Sequence, residues 1–322
     1  MRSGSGCISS MPAATDAAAS TPAPATADRP GTARFLRRYL SCLRYGEILV
    51  LQGSPLLGAA FAIGKVTAGS VAALALFAAA SCGLVAHIFV LNDWAGMSAD
   101  LQDPNRSAGA FATKGIRRSQ IGGLWMALLA LSLLLFGWLG LRTLDIALAI
   151  AMLSALYSLP ASNAKGIPLL NSALHLAGGA LHFLLGWSLF AAIDRRGIEI
   201  ATFFALAFAA GHLTQEVRDH EGDLLNGIKT NAVRFGKTSI FAAGLAVFTL
   251  AYLQLAVLAT RGIVPRPLVI LAAILYPVHL YWSLRTLGAG LTFESIRRLQ
   301  VRYRALYTII GAAMLAALML AR

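Results

Sequence analysis

Nine apolar runs, each close to the length of a membrane-spanning helix, dominate this sequence. They lie near 46–64, 69–91, 119–141, 143–160, 168–192, 200–215, 239–260, 266–287 and 303–321. A helix needs about 20 apolar residues to cross the hydrocarbon core of a bilayer, where every backbone amide must find its partner inside the protein. Helices satisfy that need within one segment. The expected fold is therefore all-α, a polytopic integral membrane protein with about nine transmembrane helices. A chain that is 57% hydrophobic and only 13% charged is too apolar for a soluble domain.

The polar segments set an expected orientation. Twenty of the 27 Lys and Arg residues fall on one side, with the N-terminal tail and the loops near 93–118, 161–167, 216–238 and 285–302. The positive-inside rule puts that side, with the N-terminus, in the cytoplasm. A bacterial inner membrane is the expected location. The net charge of +13 thus follows topology, and nucleic acid is not an expected partner. Residues 1–33 are rich in Ala, Thr, Ser and Pro, lack the apolar core of a signal peptide, and read as a disordered tail. Residues 34–322 read as one transmembrane domain. It opens on a basic amphipathic segment with Arg34, Arg37, Arg38 and Arg44. Cys7, Cys42 and Cys82 have no metal-site spacing, and their odd number gives no disulfide framework.

Acidic residues break the apolar pattern at two places. After the sixth run the chain reads Gln215-Glu216-Val217-Arg218-Asp219-His220-Glu221-Gly222-Asp223. Asp219 and Asp223 are four apart, so on a helix they share a face, with Glu216 beside them. Like charges so placed repel, and acids at the end of a membrane segment are costly. A hard divalent cation offsets that cost. Mg²⁺ takes one or two carboxylates and leaves its other positions to water and phosphate. After the second run come Asn92, Asp93, Asp100 and Asp103, with Asp93 and Asp100 two helical turns apart. The two stretches hold seven of the fourteen acids of the chain. A solvated acidic loop is the bland alternative.

On these residues the chain resembles the UbiA superfamily of intramembrane prenyltransferases. Asn92, Asp93 and Asp100 match the first Asp-rich motif of that family. Asp219, Gly222, Asp223, Gly227 and Thr230 match the second, with Gly236 beyond. Tyr157, Ser158, Pro160 and Lys165 match a third element. The resemblance covers about residues 35–321. It implies nine helices around a central cavity, Mg²⁺ as cofactor, and transfer of a prenyl group from an isoprenyl diphosphate to a lipophilic, aromatic acceptor in the membrane. It also implies roles. Asp93, Asp100, Asp219 and Asp223 would hold Mg²⁺, Asn92 would ligate or orient it, and Lys165 and the Tyr157 hydroxyl would contact the diphosphate. A positive-inside anchor for Lys165 and an interfacial anchor for Tyr157 remain open.

The chain also departs from the family pattern. Gly96 stands where the first motif has its central Asp, and Asp103 is the candidate replacement. The Arg-Pro pair after that motif is missing, which leaves Arg106 or Lys114 to supply the cation. Arg218 and Lys229 are further candidates for phosphate contact, or are simple loop cations. Asn171, His175 and His182 form a polar stripe in the fifth run. They line an acceptor pocket, supply a base, or hydrogen-bond between helices. His87 reads as a packing residue, Pro55 as a kink, and Gly178-Gly179 as a close helix contact. The degenerate first motif keeps two rivals in view: a terpene cyclase that needs no acceptor, and a binding protein without catalysis. A transporter fits less well, because the acids sit at run ends rather than at the midplane.

Overall fold

The computed structural model describes residues 39–40 and 43–320. The expected tail, together with Arg34, Arg37 and Arg38, lies outside the described residues. The first apolar run forms two short helices, α1 (Tyr45–Leu51) and α2 (Gly53–Ala62), which part at Gln52. Pro55 is the cause written in the sequence, since it has no N–H to offer the Leu51 carbonyl. The long helix α3 (Ala68–Ala95) starts on Thr67, whose hydroxyl accepts from Ser70 N at 3.1 Å while Ser70 Oγ accepts from Thr67 N at 2.8 Å. It ends at Gly96, and α4 (Met97–Gln102) follows at once.

Helices α5 (Arg118–Leu139) and α6 (Leu141–Ser158) form a hairpin with Gly140 alone between them. Gly140 has φ 134, a conformation that excludes most side chains. The remaining elements are α7 (Leu170–Trp187), α8 (Arg195–Leu225), α9 (Asn231–Phe235), α10 (Lys237–Thr260), α11 (Leu268–Gly288) and α12 (Phe293–Leu320). No strand occurs among the described residues.

Seven helices, α3, α5, α6, α8, α10, α11 and α12, are long and apolar enough to cross a membrane. The other two expected spans differ for stated reasons. The first is split at Gln52. The other is the 18-residue α7, whose apolar character is diluted by Asn171, His175 and His182. Leu134, Trp138, Met152 and Ile270 stand exposed on the outer surface, as a lipid-facing surface requires.

The largest core joins α2, α7, α8, α10, α11 and α12 through Leu57, Phe183, Phe203, Leu255, Leu275 and Ile310. Helices α2 and α7 meet backbone to backbone. A Cβ at Gly186 would lie 2.6 Å from the Pro55 carbonyl carbon and 2.9 Å from Ala59 N. Such small-residue contacts are how helices pack when lipid supplies no hydrophobic drive. The expected contact at Gly178-Gly179 holds for Gly179 only, where a Cβ would meet Phe208 Cβ at 2.7 Å; Gly178 faces open space. His87 is buried with Nδ1 2.9 Å from the Trp125 carbonyl, as a packing residue should be.

Candidate active site

The carboxylates of the second acidic stretch ride on a helix, not on a loop. The sixth run continues without a break through Glu216, Asp219 and Asp223 to Leu225, where Asn226 caps it. Their spacing puts these acids on one face of α8, and all three are buried. The first stretch behaves differently. Gly96 (φ −90, ψ 8) interrupts the helix, so Asp93 and Asp100 do not share a continuous helical face as their spacing predicted. Each instead meets its own arginine.

Asp93 Oδ1 accepts from Arg44 Nη2 at 2.5 Å. Asp100 Oδ1 lies 3.3 Å from Arg106 Nη1. The same guanidinium reaches Asp103 Oδ2 from Nε at 3.7 Å and donates through Nη2 to Asp219 Oδ2. Arg106 thereby fastens the first acidic stretch to the second. Arg218 grips Asp219 in a bidentate pair, Nε to Oδ1 at 2.7 Å and Nη2 to Oδ2 at 3.0 Å, and donates Nη1 to Gln300 Oε1 at 2.7 Å. Lys165 Nζ stands 3.6 Å from Asp223 Oδ1. Burial works against the charge on Arg106. Asp219, Asp100 and Asp223 outweigh it and raise the guanidinium above its ordinary value, so it stays cationic.

Arg44, Asp93, Asp100, Arg106, Lys114, Arg218 and Asp219 border a cavity of about 390 Å³. Among the described residues no three acids, imidazoles or thiols form a ready-made metal cluster. The donor chemistry nevertheless suits Mg²⁺: oxygen only, from carboxylates of the two acidic stretches beside one cavity. Five carboxylates (Asp93, Asp100, Asp103, Asp219 and Asp223) pair with four cations (Arg44, Arg106, Lys165 and Arg218), and Lys114 borders the same cavity.

The other expected site residues divide sharply. Asp103 is buried, accepts from Asn105 N at 2.8 Å, and packs on Gly222, where a Cβ would run into its carboxylate. It ties the first stretch to α8. Asn92 lies in the last turn of α3, and its carbonyl accepts from Gly96 N at 2.8 Å. Tyr157 presents its ring edge to His175, with centroids 4.8 Å apart. Lys229 is exposed beyond the end of α8 and is not among the residues that border the cavity.

For Asn171 the structure shows the hydrogen-bonding alternative. It is fully buried and saturated: Nδ2 donates to Glu216 Oε1 at 2.5 Å and to the Lys165 carbonyl at 3.2 Å, and Oδ1 accepts from Asn231 Nδ2 at 2.7 Å. It locks helices together rather than lining an acceptor pocket. His175 stacks on His212 at 3.5 Å and 8°, while His182 lies deeper and buried. Sequence reasoning missed Arg44 as the Asp93 partner, Asn231 as the Glu216 partner and His212 as the His175 partner. Only the last carried a signal, since His212 precedes Glu216 by one turn on the same face.

A UbiA prenyltransferase family profile matches residues 53–290. The chain belongs to the UbiA prenyltransferase family. No curated protein matches it in sequence. Solved UbiA structures share the fold. A UbiA homolog from Archaeoglobus fulgidus, bound to GPP and Mg²⁺, is 18% identical with TM-score 0.67, over 87% of this chain and 99% of that one. The apo UbiA homolog from Aeropyrum pernix K1 is 18% identical with TM-score 0.69, over 85% and 98%. A structure of digeranylgeranylglyceryl phosphate synthase is 17% identical with TM-score 0.66, over 88% and 98%. This UbiA chain is thus an integral membrane protein whose two acidic stretches stand at one end of the shared helical fold.

Proposed function

We propose that this protein is a Mg²⁺-dependent prenyltransferase that moves a prenyl group from an isoprenyl diphosphate to a lipophilic, aromatic acceptor within the membrane. The observation that carries this reading is the pairing of acids and bases around one cavity, Asp93 with Arg44 and Asp100 and Asp219 with Arg106, with the Asp223–Lys165 pair one turn further along α8. The diphosphates and Mg²⁺ bound by the Archaeoglobus fulgidus homolog support it. Asp93, Asp100, Asp219 and Asp223 would hold Mg²⁺, with Asn92 beside them. When bound, Mg²⁺ supplies positive charge that stabilises the leaving diphosphate.

The chain's own groups supply the rest. Arg44, Arg106, Arg218 and Lys165 can turn from carboxylate to phosphate oxygens, because charge-assisted donors to either oxyanion are similar in kind, and Lys114 borders the same cavity. Cations already gathered at the site stabilise developing charge with little reorganisation at the moment of reaction. Burial of a prenyl chain among apolar side chains supplies affinity of roughly 25 cal/mol per Å² and little preference for chain length. The excess of Lys and Arg on the side of the site supports a cytoplasm-facing mouth, in a bacterial inner membrane.

The test is turnover of radiolabelled geranyl, farnesyl and geranylgeranyl diphosphates by the purified chain, with Mg²⁺ or EDTA and with or without aromatic acceptors. Diphosphate release that needs both Mg²⁺ and acceptor supports the transferase. Release with a hydrocarbon product and no acceptor would identify a cyclase. No release with any donor, and Asp219→Ala indistinguishable from wild type, would sink the catalytic reading.

A further inference from the structure

We propose that His175 Nε2 is the base that receives the proton lost by the acceptor, and that the acceptor is a neutral phenol or hydroquinone. This inference rests on the prenyl-transfer reading above and adds a residue and a substrate class to it.

The argument begins with the tautomer. His175 Nδ1 lies 2.8 Å from the Asn171 carbonyl oxygen. A carbonyl only accepts, so Nδ1 carries the hydrogen of the neutral ring and Nε2 keeps its lone pair. The carbonyl belongs to a residue that cannot drift, since Asn171 is pinned by Glu216, Asn231 and the Lys165 backbone. The ring plane is fixed too. His212 stacks on one side at 3.5 Å, and the Tyr157 edge and the Phe208 face stand at 4.8 and 5.8 Å.

His212 gives the base somewhere to spread its charge. Two stacked imidazolium rings would repel, so the pair holds one proton at a time. Glu216 Oε1, 3.3 Å from His212 Nε2 but off the line of a hydrogen bond, favours that proton. His212 Nε2 is buried and has no hydrogen-bond partner, and the same is true of His182 Nε2 one face below. Unpaired polar atoms among membrane helices are costly, and a polar ligand seated against them removes the cost. Along α8, His212 lies seven residues before Asp219, about 10 Å along the axis. That depth is where the first carbons of a prenyl chain would meet an acceptor when the diphosphate sits at the carboxylates.

The same charges select the acceptor. Glu216 stands beside His212 and repels an anion there. A neutral hydroxylated ring fits where a benzoate does not. The step balances without any further reagent. The C1–O bond of the donor breaks and its electron pair leaves with the diphosphate. A ring carbon of the acceptor bonds to C1. The C–H pair at that carbon returns to the ring, and the proton goes to His175 Nε2.

The test uses the full chain in lipid nanodiscs with Mg²⁺ and radiolabelled geranylgeranyl diphosphate. The acceptor probes are 1,4-dihydroxynaphthalene, methylhydroquinone and 4-hydroxybenzoate. Prenylated product and free diphosphate are both counted. His175→Gln should lower the ratio of product to diphosphate about 100-fold, within the range for a lost general base. Ring deuteration of the acceptor should leave wild type unaffected and slow His175→Gln, because proton loss then limits the rate. His212→Gln should lower the ratio less. An unchanged ratio in His175→Gln, or a variant with no isotope effect, overturns the base. Faster transfer to 4-hydroxybenzoate than to both neutral probes overturns the substrate class. Wild type that releases diphosphate but prenylates no probe removes this inference and leaves donor ionisation standing. Wild type that releases none removes both readings.

Discussion

Arg106 and Asp219 are 113 residues apart in sequence and share one ion pair. Through it the loop after α3 is fastened to the end of α8, and the cavity between them takes its shape. Arg106 holds Asp100 with another nitrogen, so one side chain spans both acidic stretches. Of the two cations that the sequence offered there, Arg106 bridges both stretches and Lys114 borders the same cavity.

Arg106→Ala should lower donor turnover by at least about 100-fold, the scale of losing one fixed donor to developing charge. Arg106→Lys should recover only part, because an ammonium cannot span two carboxylates as a planar guanidinium does. Steady-state diphosphate release by the two variants checks this. Equal rescue by Lys would mean that charge alone is required.

Asp219→Asn should abolish Mg²⁺-stimulated release while the protein stays folded. The change removes a charge but little volume, and Arg106 keeps Asp100 as its partner. Thermal unfolding in detergent, run beside the Mg²⁺ titration, separates loss of function from loss of fold.

Gly186→Ala should destabilise the bundle. The new methyl would meet the Pro55 carbonyl and Ala59 N, which are backbone atoms and cannot turn away. Overpacking of this kind costs about 1–3 kcal/mol. A lowered unfolding temperature checks it, and Gly178→Ala, which faces open space, is the control.

Asn231→Leu should destabilise the protein and weaken activity together. Asn231 Nδ2 donates to Asn171 Oδ1 at 2.7 Å and to Glu216 Oε2 at 3.0 Å, and Oδ1 accepts from Leu169 N at 2.7 Å. Removing it leaves a buried carboxylate short of a donor, at about 1–3 kcal/mol or more. Chemical or thermal unfolding beside donor turnover measures both effects.

Much of the fold was legible in the chain because bilayer thickness and backbone satisfaction leave few choices. Runs of about 20 apolar residues become helices, and acids at their ends stand out against them. Asp93, Asp100, Asp219 and Asp223 were found in this way. What failed was local. The helical face assumed for Asp93 and Asp100 is broken at Gly96, where a residue without a side chain lets α3 stop. The polar stripe of α7 looked uniform, yet Asn171 is locked into a structural network while His175 lies against His212.

The sequence alone determined the helical membrane class, the two acidic stretches and their family, because periodicity, length and residue type are local properties. Only the tertiary structure decided which donor answers which carboxylate. Arg44 meets Asp93, Arg106 meets Asp219 and Asn231 meets Glu216 across 49, 113 and 15 residues of chain. No local pattern encodes such pairs. They follow from how the helices pack, which brings distant charges to distances where burial makes each choice of partner costly to change.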